Sequence, residues 1–422
     1  MNRCLICLLL PTMAGIVLHL VPNRSPGADN DAADAPFVEL LPPTGKQAIG
    51  RRSFHWIDPN RKQLNGRACE VLAHLWYPAK KLVGATPLPY LPDFAAIRSA
   101  VGEAHLRAAA AGSYDALSTA RTHSLADAEV SPELAKYPIV LLTHGLRYSS
   151  LGYSMLAEEL ASWGYVVVGI DHPVTAFAMI LPDNRTAIFN EELWSKRRSA
   201  DETREFERAI VEQCGNDLVF AINHLDELNR NTSASPFAGR LDLGQVGVVG
   251  HSFGGRVAAR ACQLDSRLRA GVLLDSFGRN MHVDRNADGS TVEQPMMIQY
   301  ARRVPAAGIG RALALLQNGG KDLEEELRPV RRDFCQSVKA ASYELTLLIP
   351  GVSHETFSDI PLLESGQSAA ALKSRRLALQ LVRDYTRAFF DRHVRGVNAP
   401  LLDAPAANPE EVVWTRHTFR GE

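Results

Sequence analysis

The sequence predicts an α/β fold, a mostly parallel central sheet with helices on both faces. Three observations lead there. Short apolar runs with β-branched residues alternate with segments of helical spacing along the chain. Several of these runs stop at a turn carrying Gly, Asp or His, as buried parallel strands do. No internal repeat and no second hydrophobic pattern marks a separate domain in the 422 residues.

The elements follow in order. Met1-Asn2-Arg3 carries one positive charge, and an apolar run from Cys4 to Val21 follows, broken by Pro11, Thr12 and His19. A polar, Pro/Gly/Asp-rich stretch from Pro22 to Ala35 comes next. Residues 1–35 thus read as a secretory leader with its linker, with Ala33-Asp34-Ala35 as a downstream small-x-small site. An uncleaved membrane anchor is the alternative, because the run is about long enough to span a bilayer. A single α/β domain is expected over 36–398. Cys69 to Tyr77 alternates as a strand does. The Ala-rich stretch from Phe94 to Ala128 favours surface helices. Tyr137 to Leu142 is a buried strand ending at Thr143-His144-Gly145-Leu146, and Ser150 to Trp163 has helical spacing. Tyr165 to Ile170 is a second buried strand, ending at Asp171-His172-Pro173. Arg204 to Leu228 is a long helix with apolar residues at Ile210, Val211, Leu218, Val219, Ile222 and Leu225. Gln245 to Val249 is a strand and Arg256 to Gln263 a helix. Gly271 to Leu274, Met296 to Tyr300 and Tyr343 to Ile349 are further strands, and Ala369 to about Phe390 is the last helix. A charged helical insertion over 302–341 falls between two sheet strands, where a lid would be spliced. The Pro/Ala-rich stretch 399–422 reads as a loose tail.

Composition narrows the partners. Lys+Arg is 46 and Asp+Glu 47, a net charge of −1. So balanced a chain has no broad basic surface for nucleic acid and no general attraction to anionic membranes. A hydrophobic share of 46% supports a real core and excludes disorder as the main state. Four of the six cysteines lie beyond the leader (Cys69, Cys214, Cys262 and Cys335), so one or two disulfides are expected in an oxidising compartment. The sequence leaves their pairing open, and with it the oligomeric state.

The chemistry centres on Gly250-His251-Ser252-Phe253-Gly254-Gly255, a G-x-S-x-G pattern. Alone it is weak, arising by chance in roughly one chain in seven of this length. Between a strand and a helix it becomes a nucleophile elbow, the sharp turn that lifts a serine hydroxyl above an α/β-hydrolase sheet. An ordinary Gly-rich turn is the alternative. A serine hydroxyl needs a base to take its proton. Of His282, His354, His393 and His417, His354 lies in a loop after a late strand, where ligands meet open α/β sheets. Asp275 ends the strand Gly271–Leu274 and is placed to orient that imidazole; a helix cap or loop salt bridge is its other reading. Asp171 also ends a strand but precedes Ser252, which suits a structural turn. The oxyanion hole needs two N–H donors, expected from Phe253 and from Leu146. Asp284-Arg285-Asn286-Ala287-Asp288-Gly289 matches the start of a calcium loop, but position twelve is Pro295 and the bidentate Glu is missing. No metal and no cofactor is expected.

These motifs resemble the platelet-activating factor acetylhydrolase family of serine esterases, the plasma type and its bacterial relatives. The resemblance runs from about Trp56 to Phe390. It rests on Leu75-Trp76-Tyr77-Pro78-Ala79, Thr143-His144-Gly145-Leu146, the elbow, Leu274-Asp275, and Gly351-Val352-Ser353-His354-Glu355-Thr356-Phe357-Ser358-Asp359. It implies an α/β-hydrolase fold, a Ser252, Asp275, His354 triad, and Leu146 and Phe253 as oxyanion donors. It further implies calcium-independent hydrolysis of short or oxidised sn-2 acyl groups of phospholipids, with transient contact at a membrane or lipoprotein surface. The chain departs from the family between Asp275 and His354, where it carries an insertion. Polyester-degrading and dienelactone hydrolases share parts of the same motifs. The sequence therefore leads to an exported serine esterase of this kind, with a general carboxylesterase or polyesterase, and a non-catalytic binding protein, as the other readings.

Overall fold

The computed structural model describes residues 40–63, 66–82, 84–231, 235–276, 290–302, 323–403 and 410–419. Its strands are β1 (Ala48–Lys62), β2 (Ala68–Ala79), β3 (Ser124–Ala126), β4 (Tyr137–Thr143), β5 (Val166–Asp171), β6 (Ala178–Ile180), β7 (Thr186–Ile188), β8 (Leu241–His251), β9 (Leu268–Leu274), β10 (Met296–Ala301), β11 (Ser342–Leu347) and β12 (Val412–His417). Its α-helices are α1 (Phe94–Val101), α2 (Glu103–Ala110), α3 (Tyr114–Thr119), α4 (Ser154–Ser162), α5 (Glu191–Ser195), α6 (Ala200–Arg230), α7 (Phe253–Leu264), α8 (Leu323–Ser337), α9 (Ile360–Leu363) and α10 (Ala369–His393). Ten strands form one sheet in the order β12-β11-β10-β9-β8-β4-β5-β2-β1-β3, and β6 with β7 makes a separate hairpin.

The six strands from β5 to β11 across the middle of the sheet pair in parallel. All seven residues of β4 are buried. Successive side chains of a strand point to opposite faces. Ile139 and Leu141 accordingly enter the core beneath α6 and α7, with Ile210, Leu218, Val257 and Cys262. Val140 and Leu142 enter the core beneath α4 and α10, with Leu156, Val382 and Phe389. Both faces are covered, which is why the parallel strands read as unbroken apolar runs. The helix α6 starts earlier than its apolar spacing suggests because Ser199 and Glu202 form a capping box at its start.

Several expectations are corrected. The Ala-rich stretch is helical only to Thr119, and Ser124–Ala126 joins the sheet beside β1. The stretch 399–422 is not loose throughout: Val412–His417 is the edge strand, antiparallel to β11. Trp414 stacks on Tyr343 with ring centroids 5.1 Å apart and on Tyr385 at 5.6 Å, and this aromatic packing fixes the strand. Cys69, Cys214, Cys262 and Cys335 are all free and buried, so no disulfide forms among the described residues. They lie on β2, α6, α7 and α8; Cys69 and Cys262 act as small apolar side chains, while Cys214 lies beside His172 and Cys335 beside Glu344. Of the insertion at 302–341 the helix α8 is present, while 303–322 lie outside the described residues, as do the leader and the stretch 284–289 that resembles a calcium loop.

A polar layer sits at the carboxyl ends of β4 and β5, under the loops of the site. Asp171 accepts from Ser149 Oγ at 2.8 Å and Ser150 N–H at 2.5 Å, which fixes the turn before α4. His172 Nδ1 meets Asp217 Oδ2 at 2.9 Å, and Arg61 Nη1 meets Asp217 Oδ1 at 2.9 Å. Burial opposes charge on His172, but Cys214 and Asp217 outweigh it and hold the imidazolium up to about 10. His144 is different. Its Nδ1 donates to the Gly145 carbonyl at 2.8 Å, and its Nε2 accepts the His172 backbone N–H at 3.3 Å. Those partners require a neutral ring, and burial holds its pKa at about 4.

Two outcomes follow. Trp414→Ala should lower unfolding free energy by about 2 kcal/mol in a urea titration, since a half-buried aromatic anchor is lost. Because the unfolded chain protonates His144 near 6.5 and the folded chain only near 4, its contribution is complete above 6.5 and fades as pH falls. In urea titrations, the stability lost between pH 7 and pH 5 should be about 2 kcal/mol greater in the wild type than in a His144→Gln variant, a difference that begins before the carboxylates titrate.

Candidate active site

Ser252 is the single residue between β8 and α7, and it has φ +54° and ψ −120°. A non-glycine residue there stores roughly 1–3 kcal/mol of strain and persists only where the surroundings hold it. Here the Ser252 N–H donates to the Leu274 carbonyl at 2.8 Å, and the Gly255 N–H returns to the Ser252 carbonyl at 3.0 Å. The flanking glycines are required by space. A Cβ at Gly250 would collide with the Gly254 carbonyl, and one at Gly254 with the carbonyls of Thr143 and His144. The N-terminus of α7 lies behind the serine, where its dipole favours negative charge.

Strain collects around this point. Of five non-glycine residues with positive φ among the described residues, three are Arg147, Ser252 and Asp275. Asp275 follows β9 directly, and its N–H donates to the Gln299 carbonyl at 2.7 Å, which aims its side chain across the strand ends. His354 opens a short 3₁₀ turn after β11, held by the Ser353 N–H bond to Thr356 Oγ1 at 2.9 Å. The structure brings the three side chains together: Ser252 Oγ lies 2.8 Å from His354 Nε2, and His354 Nδ1 lies 2.6 Å from Asp275 Oδ2. The carboxylate can only accept when ionised, so Nδ1 carries the proton and Nε2 offers its lone pair to the serine hydroxyl. The His354 side chain is 30% exposed and that of Asp275 9%, so the imidazole is open to a ligand while the carboxylate is shielded.

The loop carrying Leu146 is held on both sides. The Arg147 N–H donates to the Thr175 carbonyl at 2.7 Å, and the Tyr148 N–H to the Gly145 carbonyl at 3.0 Å. Among the described residues no acceptor takes the N–H of Leu146 or of Phe253. The other histidines go elsewhere. His393 pairs with Tyr343 Oη at 3.0 Å, His417 with Glu344 at 3.3 Å, and His282 lies outside the described residues.

Sequence reasoning missed three contributors. Tyr153 and His251 are buried beside the serine and hydrogen-bonded to each other at 2.7 Å. The excursion between β5 and α6, with β6, β7 and α5, had no strong periodicity to announce it. It delivers Trp194, whose ring meets Phe253 at 5.8 Å and Phe189 at 5.7 Å, so an aromatic wall adjoins the elbow. Two groups have metal-ligand chemistry, His172 with Cys214 and Asp217, and Cys335 with Glu344 and His417. Each already holds a cation of the chain's own, Arg61 on Asp217 and Arg331 on Glu344 at 3.1 Å. They are ion-pair networks of the core.

The chain matches the family described as platelet-activating factor acetylhydrolase, isoform II, over residues 65–393. It is 24% identical over 407 residues to a protein of Arthroderma benhamiae named "Probable 1-alkyl-2-acetylglycerophosphocholine esterase", covering 91% of this chain and 95% of that one. It is 29% identical over 178 residues to the platelet-activating factor acetylhydrolase of Cavia porcellus, a match that spans 38% of this chain and only 39% of the relative's length. Among solved structures, the ferulic acid esterase from Streptomyces cinnamoneus superposes with a TM-score of 0.66 at 25% identity, covering 89% of this chain and 98% of that one. The fold is that of the α/β-hydrolases, and the family match covers residues on all three loops that meet at Ser252. The chain belongs to the platelet-activating factor acetylhydrolase, isoform II, family.

Proposed function

We propose that the protein is an exported serine esterase that hydrolyses short acyl esters through an acyl-enzyme on Ser252. The observation that carries this is the hydrogen-bonded line from Ser252 Oγ through His354 to Asp275, at 2.8 and 2.6 Å. Ser252 attacks the ester carbonyl while His354 Nε2 takes its proton. Asp275 stabilises the imidazolium and fixes its tautomer without itself being protonated. The carbonyl oxygen becomes an oxyanion facing the N–H groups of Leu146 and Phe253. His354 then protonates the leaving alcohol, and water, deprotonated by the same nitrogen, releases the acid.

For the substrate, we propose the short sn-2 acyl group of a glycerophospholipid. The full-length fungal relative supports it, since its name is that of an esterase of 1-alkyl-2-acetylglycerophosphocholine. A near-zero net charge means that lipid would be met by a local apolar surface rather than by charge. Export rests on the basic and apolar leader at 1–35. Among the described residues no helix is long and apolar enough to cross a membrane. A second reading, a carboxylesterase of aryl esters, is favoured by the aromatic wall of Phe189, Trp194 and Phe253 beside the serine and by the ferulic acid esterase likeness. A binding protein on this fold would not react covalently, which a fluorophosphonate probe tests directly.

Ser252→Ala should lower kcat by roughly 10⁵-fold or more with an unchanged melting temperature, and Asp275→Asn by roughly 10⁴-fold. Ester turnover that survives in Ser252→Ala removes the mechanism. A panel of p-nitrophenyl esters of rising chain length, beside a 2-acetyl phospholipid and a feruloyl ester, should give highest kcat/KM for short acyl chains and turnover of the phospholipid. A preference for the feruloyl ester with no action on phospholipid selects the second reading.

A further inference from the structure

His251, the residue before the nucleophile, is buried, and its two ring nitrogens face different loops. Its Nε2 lies 3.0 Å from the backbone carbonyl of His354. Its Nδ1 lies 2.7 Å from Tyr153 Oη. Tyr153 Oη in turn accepts the backbone N–H of Gly145 at 3.1 Å.

The direction of this chain is fixed by chemistry. A carbonyl oxygen only accepts, so His251 Nε2 carries the hydrogen. Burial, and the His354 ring with its centroid 4.6 Å away, push the His251 pKa well below its ordinary value, so the ring is neutral and Nδ1 is a lone pair. Tyr153 must then donate to Nδ1 and accept from Gly145. All three bonds run one way: Gly145 N–H to Tyr153, Tyr153 O–H to His251, His251 N–H to the His354 carbonyl. Gly145 precedes the Leu146 donor in the chain, and a Cβ there would press on His251 Nδ1 at 3.1 Å and Ser252 Cβ at 3.3 Å. A second link runs parallel to the first. The Asp359 N–H donates to the Gly152 carbonyl at 2.8 Å, and its carboxyl accepts the Met155 N–H at 3.2 Å. The same two loops are thus joined twice, once beneath the serine and once at the start of α4.

We propose that Tyr153 and His251 are positioning residues that tie the Leu146 donor loop to the His354 loop, so that oxyanion donor and general base keep one fixed spacing about Ser252. This rests on the serine esterase reading given above. A tie of this kind acts in the transition state more than in the ground state, because the oxyanion and the imidazolium exist only there. A neutral His251 also suits it, since a charged ring at that distance would oppose the imidazolium forming on His354.

Tyr153→Phe tests it, removing one oxygen and keeping the ring. We expect kcat to fall roughly 10- to 100-fold with KM changed less than about twofold. The inhibition constant of an alkyl boronic acid, which forms a tetrahedral adduct on the serine, should weaken by the same factor. His251→Gln is the second variant, and the double variant should lose little more than the worse single one, because both break the same chain. Boronate binding within twofold of wild type in Tyr153→Phe, a kcat loss fully explained by a lower folded fraction, or additive losses in the double variant would overturn the proposal. Ser252→Ala and fluorophosphonate labelling of the wild type separate the two ideas. If the wild type fails to label, or Ser252→Ala still turns over ester, the esterase reading falls and this proposal with it. If both controls behave and Tyr153→Phe does not, only the tie is wrong.

Discussion

The site depends on one constraint, the strained turn at Ser252. A serine at φ +54° needs a void on one side and a clamp on the other. Gly250 and Gly254 supply the void, because any Cβ there would strike backbone. The bond from the Ser252 N–H to the Leu274 carbonyl supplies the clamp. That bond also sets the register of β8 against β9, where His251 pairs with Leu274. Asp275 begins at the next residue. The same contact that bends the Ser252 turn therefore places the Asp275 carboxylate, and His354 has only to reach between them. The protein carries its strain at this spot and surrounds it with a close-packed sheet that cannot relax to relieve it.

Much of this was legible in the residues. Elements whose side chains all face the core, such as Tyr137–Leu142 and Tyr165–Ile170, announced themselves by unbroken apolar runs. The elbow was readable because its glycines are sterically forced, and Ser252, Asp275 and His354 because each ends or follows a strand. What stayed hidden lacked a local signal. The edge strand Val412–His417 is buried at Val412 alone, and its anchor Trp414 finds Tyr343 only in three dimensions. The long β1 alternates imperfectly, and only a third of it is buried. Tyr153 sat unnoticed inside a helical pattern, since nothing in a 3.6-residue period distinguishes a core tyrosine from one whose hydroxyl serves a neighbouring loop.

The buried polar groups near the site divide by the charge that their partners demand. His172 has a carboxylate on one side and a hydroxyl at 3.2 Å on the other, so it can donate twice and be an imidazolium. His144 and His251 each face one acceptor and one donor, so each is neutral. Three histidines at three neighbouring strand ends thus divide between two protonation states, and the hydrogen-bond partners rather than burial alone decide which. The site lies over this layer, and His354 is set apart from the three by a ring 30% exposed rather than buried.

The edge strand has a further meaning for how the molecule is made. The strand β11 leads into the His354 turn, and its outer neighbour β12 comes from beyond residue 410. During synthesis the strand that leads to His354 therefore leaves the ribosome with one side unpaired, exposing Tyr343 and a row of backbone groups. It acquires that cover only when Val412–His417, well beyond its own end at Leu347, has emerged. The Ser252 turn needs the carbonyls of Thr143, His144 and Leu274, all of which precede β11 in the chain, whereas the His354 turn follows it. Order of emergence would therefore make Ser252 and Asp275 available to each other before His354 can reach them, so the line of three side chains is completed from its C-terminal member.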